Sequence, residues 1–426
     1  MINKTLNNIF KGDKVVWMVF FFLCIISVIE VYSASSQLTY KAGNYATPIL
    51  KHFGLLAVGV FFTIVTLNVP CRYFRILPVP LLAFAFVTLI AVWVLGSSTN
   101  GAQRWFSIMG IQFQPSEVAK GALVVATAQI LSTLQTDKGA DKSAIKYILI
   151  VCAFIVPFIL TENLSTAALI CAVIFMMMFI GRVPLRQLGI LIMVVAIIAT
   201  VCVSAIMLFG HDNAQDAAAN KMVETTEQAD KDKAESGLAA KILPRLDTWK
   251  SRIDKFLDHT EVAPKDVDLD KDAQVAHANI AIASSNVVGK GPGNSDERDF
   301  MSQAFSDFIY AIIIEEMGIE GSAFVAMLYI ILLFRAGRIA NRCENNFPAL
   351  LAMGLALLLV TQALFNMMVA VGIVPVTGQP LPLISKGGTS SIINCIYIGM
   401  ILSISRSAQK KGEPAPKQQP AQATAA

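Results

Sequence analysis

Ten long apolar segments constrain the fold of this chain more than any other feature of its sequence. They can be drawn at roughly residues 15–33, 50–68, 78–96, 116–133, 146–161, 163–181, 187–209, 307–334, 348–372 and 388–405. Each is long enough to cross a bilayer as an α-helix, which takes about 20 predominantly apolar residues. The whole chain is 55% hydrophobic and only 15% charged, more apolar than a soluble protein of 426 residues needs. We therefore predict an all-α polytopic membrane protein with ten transmembrane helices.

The basic residues of the short loops predict how these spans are oriented. An even number of spans places both termini on one side, and the side richer in Lys and Arg stays in the cytoplasm. With the termini inside, seventeen Lys and Arg lie on inner segments, against four on the short outer loops, namely Lys41, Lys51, Arg104 and Lys386. The net charge of +4 is then a signal of topology and does not indicate a nucleic-acid partner.

The spans divide the chain into five predicted regions. They are a cytoplasmic N-terminus (1–14), helices one to seven (15–209), a long extracytoplasmic loop (210–306), helices eight to ten (307–406) and a disordered cytoplasmic tail (407–426). All seven cysteines fall within spans or their inner flanks, and the long loop has none. Neither a disulfide framework nor a cysteine metal cluster is therefore indicated.

Asp307 is the leading candidate for a catalytic residue, because it stands where the long polar loop meets the eighth span. A carboxylate at the mouth of a span is partly shielded from water, so its charge is costly unless it has a function or a partner. Glu315 and Glu316 follow about two turns deeper on the same predicted helix. Either could bind a cation, but we favour a structural role in the bundle for both.

A second group of polar residues surrounds the start of the fourth span: Arg104, Trp105, Gln114, Ser116, Glu117 and Lys120. Pro115 suits the first turn of a helix, which Gln114 or Ser116 could cap. Glu117 and Lys120 are three residues apart, so they share a helix face and can pair. The pair either neutralises itself in lipid or helps Arg104 to hold a pyrophosphate. We favour the second interpretation, because charges inside a membrane are usually functional.

Two short motifs on the same outer side are more ambiguous. In the tight turn from Thr161 to Thr166, Glu162 is either a site residue or a solvated turn residue, and the two interpretations are equally supported. The loop from Gly289 to Ser295 includes Gly291 and Gly293, and free amides in such a loop can bind an anion. Glycines also mark any irregular loop, so this motif is a weak signal.

The segment from Pro375 to Ser391 predicts a re-entrant loop. It is rich in proline and glycine at membrane depth, where irregular backbone is tolerated only next to protein or a water-filled cavity. We expect it to line the same cavity as Asp307. Its candidate ligand-binding residues are Ser385, Lys386, Gly387 and Gly388.

Taken in order, these motifs resemble those of the SEDS proteins (shape, elongation, division, sporulation), and the resemblance covers residues 10 to 406. It implies a peptidoglycan glycosyltransferase that polymerises lipid II outside the bacterial cytoplasmic (inner) membrane. It also implies a partner, a single-span class B transpeptidase of the penicillin-binding type. The essential aspartate of the family falls on Asp307.

The resemblance also implies roles for the polar residues. An inverting transfer from lipid II needs a general base near the attacking sugar hydroxyl and positive charge near the leaving pyrophosphate. Asp307 would be the base, and Arg104, Lys120 and Lys386 would stabilise the leaving group, with a divalent cation (Mg²⁺ or Mn²⁺) as an optional helper and no organic cofactor. The other implied contacts to substrate are Trp105, Gln114, Ser116, Glu117, Gly291, Gly293, Ser385, Gly387 and Gly388.

Three departures from the family pattern stand out. The turn Glu162-Asn163-Leu164-Ser165-Thr166 is one residue shorter than the usual Glu-Pro-Asp-Leu-Gly-Thr and lacks its aspartate. Ser306 precedes Asp307 where His or Thr is common, and Lys386 replaces the tyrosine of Ser-Tyr-Gly-Gly. The turn therefore carries no assigned role, whereas the additional lysine offers a further anion contact.

Two other functions compete with the polymerase. A lipid II flippase needs a polar path reaching both faces of the membrane, yet the polar motifs gather on the outer side here. An inactive scaffold would tolerate loss of Asp307, which is retained. Within the family, the short N-terminus and the basic tail favour the division type over the elongation type. That type would act at the septum among other division proteins and membrane lipids.

Overall fold

The computed structural model describes residues 11–34, 46–95, 97–99, 102–108, 111–209, 273–301 and 304–408. Most of the predicted long loop (210–272) and the tail from 409 onward lie outside the described residues. The five predicted regions, including the outer loop and the disordered tail, therefore stay predictions.

The described part of the chain is mostly helical. In chain order its helices are α1 (Lys14–Ala34), α2 (Ala46–Asn68), the short α3 (Cys71–Phe74), α4 (Pro78–Leu95), α5 (Pro115–Thr133), α6 (Ala144–Glu162), α7 (Leu164–Ile180), α8 (Leu185–Phe209), α9 (Ala273–Ser284), α10 (Ile309–Ala340), α11 (Asn346–Ala370) and α12 (Gly388–Ser407). All except α3 and α9 coincide with predicted spans. A 3₁₀ turn, Glu297–Asp299, precedes α10.

Hydropathy supports the membrane class. Six described helices, α1, α2, α6, α10, α11 and α12, are long and apolar enough to cross a membrane, and the apolar stretches of α4, α7 and α8 are shorter. The prediction of a polytopic membrane protein is confirmed to this extent, whereas the number of ten spans and their orientation stay predictions.

Two small antiparallel sheets correct the all-α prediction. Strands β1 (Ser97–Thr99), β2 (Ala102–Ile108) and β3 (Ile111–Phe113) form a sheet between α4 and α5, while β4 (Gln135–Thr136) and β5 (Gly139–Ala140) pair between α5 and α6. Strand β2 carries Trp105, Phe106 and Ile108, residue types that favour strands. These connections are too short to form further spans, so the chain satisfies its backbone groups there by pairing strands.

The most polar of the long helices, α5, lies inside the bundle. Its first turns are almost entirely buried, and they pack against α11 and α12, the two spans with the largest buried share. Glu117 and Lys120 are therefore surrounded by protein and not by lipid. This position explains how a helix with two charges is tolerated at membrane depth.

Helix α10 is interrupted at Gly318, where the backbone takes a φ of 68°. A Cβ at Gly318 would lie 2.2 Å from the carbonyl oxygen of Val287, and one at Gly289 would lie 2.4 Å from that of Glu316. Only glycine at both positions lets the loop after α9 approach α10 this closely. On the N-terminal side of the break, residues 309–314 are buried on every face, so this segment lies within the protein.

Candidate active site

The segment between α11 and α12 returns into the bundle, as the sequence predicts. Ser27 of α1 donates a hydrogen bond to the carbonyl of Ile384 (2.7 Å), and Gln362 of α11 donates to that of Pro380 (2.9 Å). Both donors lie seven or eight residues before the C-terminal ends of their helices, which is about 10–12 Å along the helix axis. Protein side chains thus satisfy the loop carbonyls, the condition for irregular backbone at this depth.

Asp307 lies against this re-entrant loop, two residues before α10 begins. The side-chain amide of Asn366 donates to the carbonyl of Asp307 and to that of Gln379, at 2.8 Å each. The hydroxyl of Ser306 donates to Asp307 Oδ1 at 2.9 Å. One amide of α11 therefore fixes the backbone of Asp307 relative to the loop, and the carboxylate is half-buried.

Ser385 and Lys386 contact the other side of the same segment. The hydroxyl of Ser385 donates to the carbonyl of Ser306 at 2.7 Å, and the amide of Lys386 donates to that of Phe305 at 3.0 Å. The Lys386 ammonium lies 5.1 Å from the centroid of the Phe305 ring. Two further predicted residues follow directly at the start of α12: Gly387 and Gly388.

Lys120 and Glu117 form the predicted ion pair inside the bundle. Lys120 is fully buried, and its ammonium donates to Glu117 Oε1 (2.8 Å) and to Gln362 Oε1 (2.7 Å). Gln362 lies one helical turn from Asn366, and both also bind the re-entrant loop. Lys120 is thus linked to Asp307 through Gln362, the adjacent loop carbonyls of residues 379 and 380, and Asn366. We call Glu117, Lys120, Gln362, Asn366 and Gln379 the polar cluster.

The polar cluster keeps spare hydrogen-bonding capacity. Glu117 Oε2, Asn366 Oδ1 and Gln379 Oε1 are buried without a hydrogen-bond partner among the described residues. Buried polar atoms are normally hydrogen-bonded, and leaving one unpaired costs about 1–3 kcal/mol. Acceptors of this kind around one loop are typical of a site that binds a polar ligand.

The first turn of α5 reaches the first turn of α12. The backbone amide of Gln114 donates to the Thr389 hydroxyl at 3.4 Å, and Pro115 takes the first helical position as predicted. The prediction that Gln114 or Ser116 caps α5 through its side chain is wrong. The side-chain amide of Gln114 donates to the Ser116 hydroxyl (3.1 Å), and neither side chain accepts from a backbone amide of the first turn. Gln114 and Ser116 are therefore fixed three residues and one residue before Glu117 of the ion pair.

The tight turn between α6 and α7 joins the site through one residue. Asn163 caps α7 by accepting from the amides of Ser165 (3.0 Å) and Thr166 (3.4 Å). The Thr166 hydroxyl accepts a 2.6 Å bond from the side chain of Gln379. Glu162 is buried at the end of α6. The turn therefore supports the re-entrant loop.

The glycine-rich loop is held by two buried carboxylates of α10. Glu315 Oε1 accepts from Lys290 Nζ (2.6 Å) and from the amide of Asp296 (3.0 Å), while Oε2 accepts from the Ser295 hydroxyl. Both carboxylate oxygens are thus used. We call Glu315 and Glu316, together with residues 290–296, the loop anchor.

Glu316 is satisfied in the same way. Its carboxylate accepts from the Ser33 hydroxyl and from the amide of Gly293 (2.9 Å), and its carbonyl accepts from the amide of Gly291 (2.8 Å). Arg298 lies 3.8 Å from the same carboxylate. The amides of Gly291 and Gly293, predicted to bind substrate, are therefore engaged within the protein in this structure, and their predicted role requires the loop anchor to open.

Charges at the exposed edge of the loop anchor shift one another's pKa values. A hydrogen bond from Lys290 holds the pKa of Asp296 below its usual 3.8. Bonds to Asp296 and to Glu315 raise the pKa of Lys290 above 10.5. Because the Asp296 side chain is 77% exposed, water screens this pair and its contribution to stability is small.

Two predicted residues, Arg104 and Trp105, lie on a strand between α4 and α5. This strand is β2, where the structure describes the backbone alone, with Trp105 opposite Ser97. Their predicted role in binding substrate stays a prediction.

Several buried polar residues of the spans escaped the sequence analysis: Ser27, Glu30, His52, Gln362 and Asn366. Gln362 and Asn366 connect the ion pair to Asp307. Glu30 is fully buried in α1, and neither of its carboxylate oxygens has a hydrogen-bond partner among the described residues. A useful signal was present, because each interrupts an otherwise apolar segment, where polar residues are usually functional.

Known proteins are similar to this chain over nearly its whole length. Residues 13–410 match the family model FTSW_RODA_SPOVE, described as "Cell cycle protein". The probable peptidoglycan glycosyltransferase FtsW of Geobacter sp. (strain M18) is 29% identical over 398 residues, which cover 92% of this chain and 96% of the relative. The peptidoglycan glycosyltransferase MrdB of Escherichia coli (strain K12) is 26% identical over 397 residues, covering 92% and 93%.

Solved structures share the fold. A chain from a peptidoglycan synthase complex that coordinates polymerization and crosslinking superposes with a TM-score of 0.67 and 22% identity, over 93% of this chain and 98% of that one. The rod shape determining protein RodA of Thermus thermophilus gives 0.60 and 21%, over 93% and 97%. The family model spans nearly the whole chain, so the chain belongs to the FtsW/RodA/SpoVE family, the SEDS proteins.

Proposed function

We propose that this chain polymerises lipid II into glycan strands at the outer face of the bacterial cytoplasmic membrane. The observation that carries the proposal is that Gln362, bonded to the buried cation Lys120, and Asn366, bonded to the backbone of Asp307, both hold the same re-entrant loop. The family relatives named peptidoglycan glycosyltransferases support the same activity. A base and a set of cations around one re-entrant loop are what such a transfer needs.

Asp307 acts as the general base in this proposal. It takes the proton of the 4-hydroxyl of one sugar while that oxygen attacks the anomeric carbon of a second, lipid-linked sugar. The new carbon–oxygen bond forms as the bond to the pyrophosphate breaks, so the α-linkage becomes a β-linkage and undecaprenyl pyrophosphate leaves. The Ser306 hydroxyl, bonded to Asp307 Oδ1, orients the carboxylate.

Positive charge near the loop stabilises the leaving group. Lys386 is the first candidate, because its half-buried ammonium lies over the Phe305 ring, two residues before Asp307. Lys120 is already bonded to Glu117 and Gln362. We therefore propose that it mainly fixes the geometry of the site and contacts only the edge of the substrate. Arg104 is the third cation that we propose to stabilise the leaving pyrophosphate.

A divalent cation remains an optional part of the proposal. Among the described residues no group of three or more His, Cys, Asp or Glu side chains is arranged to hold a metal ion. Mg²⁺ in phosphate chemistry is often held by only one or two carboxylates and the phosphates. The residues present therefore do not define a metal site, and no step of the mechanism is assigned to a metal.

The finer predictions belong to the same proposal. Ten spans with both termini in the cytoplasm place the re-entrant loop and Asp307 on the periplasmic side. We propose a class B penicillin-binding transpeptidase as the partner, which a fold shared with a peptidoglycan synthase complex supports. We propose the division type, acting at the septum with other division proteins. The FtsW relative of Geobacter sp. (strain M18), at 29% identity, is slightly more similar to this chain than MrdB, at 26%, which supports this choice.

The test is polymerisation of labelled lipid II by the purified protein with a candidate transpeptidase whose own activity is blocked. We expect Asp307→Asn to reduce glycan formation by about 10²–10⁴-fold, the usual contribution of a general base. Glu320→Gln is the matched control, since it neutralises an exposed carboxylate on the same helix. Equal polymer from wild type and a folded Asp307→Asn protein would remove Asp307 as the base.

A further inference from the structure

A cavity of about 470 Å³ opens at the end of the bundle remote from Asp307. Arg72 and Arg75, which follow α2, line one side, and residues 343–348 between α10 and α11 line another. Ser407, the last residue of α12, also borders it, about 30 Å along that helix from its start beside the re-entrant loop. The cavity is thus separate from the polar cluster.

The cavity carries a net positive charge, because Arg72 and Arg75 outnumber the acidic Glu344 in its lining. No carboxylate of a described residue lies within 4 Å of the guanidinium of Arg72 or Arg75, whereas Arg335 at the same end pairs with Asp13. The Arg72 guanidinium lies 5.0 Å over the Tyr73 ring, which holds it at the cavity edge. Two guanidinium groups close together are suited to bind phosphate oxygens.

The start of α11 adds a second source of positive potential. Asn346 and Phe347, the first residues of this 25-residue helix, line the cavity, and Asn345 before them makes no side-chain cap bond. The first amides of a helix have no partner within it, and its dipole favours an anion there. The two arginines and these amides border the same space.

The surroundings of the arginines indicate which anion would bind. Tyr73, between the two arginines, and Ile76 and Val79, which follow Arg75, are 47%, 68% and 76% exposed. In a membrane protein such exposed aromatic and aliphatic side chains face acyl chains at the edge of the bilayer. The cavity therefore offers a phosphate site that is open towards lipid.

We propose that this cavity binds the phosphate headgroup of an anionic membrane lipid, with Arg72 and Arg75 as the principal contacts and the acyl chains along Tyr73, Ile76 and Val79. Basic pockets between helices at a membrane surface bind such headgroups. The bound lipid would connect α3, the start of α11 and the end of α12. This proposal is independent of the polymerase reaction.

Native mass spectrometry of the purified full chain tests the proposal by titration with phosphatidylglycerol and with phosphatidylcholine. We expect the wild type to prefer phosphatidylglycerol, and Arg72→Gln/Arg75→Gln to weaken its binding about tenfold or more. Arg186→Gln/Arg338→Gln is the matched control. It removes two exposed arginines from the ends of α8 and α10 outside the cavity and should change the affinity by less than about twofold.

A second measurement tests where the lipid binds and whether the site takes a lipid or a soluble anion. Phosphatidylglycerol with a photoreactive acyl chain should crosslink to residues 73–79, and 10 mM inorganic phosphate should not displace it. Both double variants replace exposed side chains, so their thermal unfolding should match the wild type. The proposal is overturned by equal affinity for the two lipids, by an equal loss of affinity in the control variant, or by crosslinks outside residues 73–79. Displacement of the lipid by phosphate would also overturn it and would indicate a site for a soluble anion.

Discussion

The polar cluster and the loop anchor both contain buried charges, but they differ in how fully the hydrogen-bonding groups of those charges are satisfied. In the loop anchor, each carboxylate oxygen of Glu315 and Glu316 accepts at least one hydrogen bond. In the polar cluster, Glu117 Oε2 and Gln379 Oε1 have no partner among the described residues. The first region is complete within the protein, and the second has capacity for a ligand.

This difference separates structural from functional charge better than the residue types do. Both regions contain at least one buried glutamate and a lysine next to an irregular loop, so either could be taken for a binding site from its composition alone. A buried carboxylate that is fully hydrogen-bonded fixes a loop. A network with unpaired acceptors is instead stabilised when a polar ligand donates hydrogen bonds to them. We therefore propose that the polar cluster contacts substrate and that the loop anchor positions the glycine-rich loop.

The largest effect should follow from breaking the buried ion pair. Lys120→Met leaves the Glu117 charge without its partner, which typically destabilises a protein by about 3–5 kcal/mol. Thermal unfolding in detergent and lipid II polymerisation measure the two consequences. The double variant Glu117→Gln/Lys120→Met removes both charges, so we expect stability to recover while polymerisation stays low. Recovery of both would mean that the pair is structural, like the loop anchor.

A smaller effect is expected from Asn366, which holds the backbone of Asp307. Asn366→Leu removes the donor to Asp307 and to Gln379, so the base should be misplaced without a change in its chemistry. We expect kcat to fall by about 10–10²-fold with little change in KM, because small displacements of a catalytic group are costly. A change in KM alone would instead place Asn366 in substrate binding.

A substitution in the loop anchor should loosen the local structure and leave substrate binding nearly unchanged. Glu316→Gln weakens the acceptor of the Gly293 amide and the Ser33 hydroxyl, at a cost of about 1–3 kcal/mol. Hydrogen exchange of residues 289–296 should become faster, while lipid II affinity stays within about threefold. Glu320→Gln, an exposed neighbour on α10, is the control and should leave both unchanged. A large loss of affinity in Glu316→Gln alone would break the distinction between the two regions.

The smallest effect concerns Asp296 at the exposed edge of the loop anchor. Lys290 lowers the pKa of Asp296 in the folded protein, so the stabilisation is present above the usual pKa of 3.8 and is lost as pH falls through the lower folded value. Hydrogen exchange of residues 289–296 should be slightly faster in Asp296→Asn than in wild type at neutral pH, and equal in acid. A difference that persists in acid would show another role for Asp296.

The sequence predicted the helices and the re-entrant loop because both follow from local composition. Apolar runs are long enough to mark spans, and prolines and glycines at membrane depth mark an interruption. It also predicted the pair Glu117 and Lys120, which are neighbours on one helix face. The short strands around Trp105 were missed, because an expectation of helices left a short outer connection without a structure of its own.

The polar cluster and the loop anchor could not be predicted, because they join residues far apart in the chain. Lys120 and Gln362 are 242 positions apart, and Asn366 and Asp307 are 59 apart. The amide of Gly293 looked available for an anion until Glu316, 23 residues later, was seen to accept its hydrogen bond. Which buried polar groups are satisfied is a property of the packed bundle and not of any single motif.

Lipid II affinity in an Asp307→Asn background tests the central distinction most directly, because binding is then measured without turnover. We would compare Glu117→Gln/Lys120→Met with Glu315→Gln/Glu316→Gln, two double variants of buried residues that keep side-chain size. The account predicts at least about a tenfold loss of affinity in the first and less than about threefold in the second. Equal losses in both, or a greater loss in the second, would contradict it.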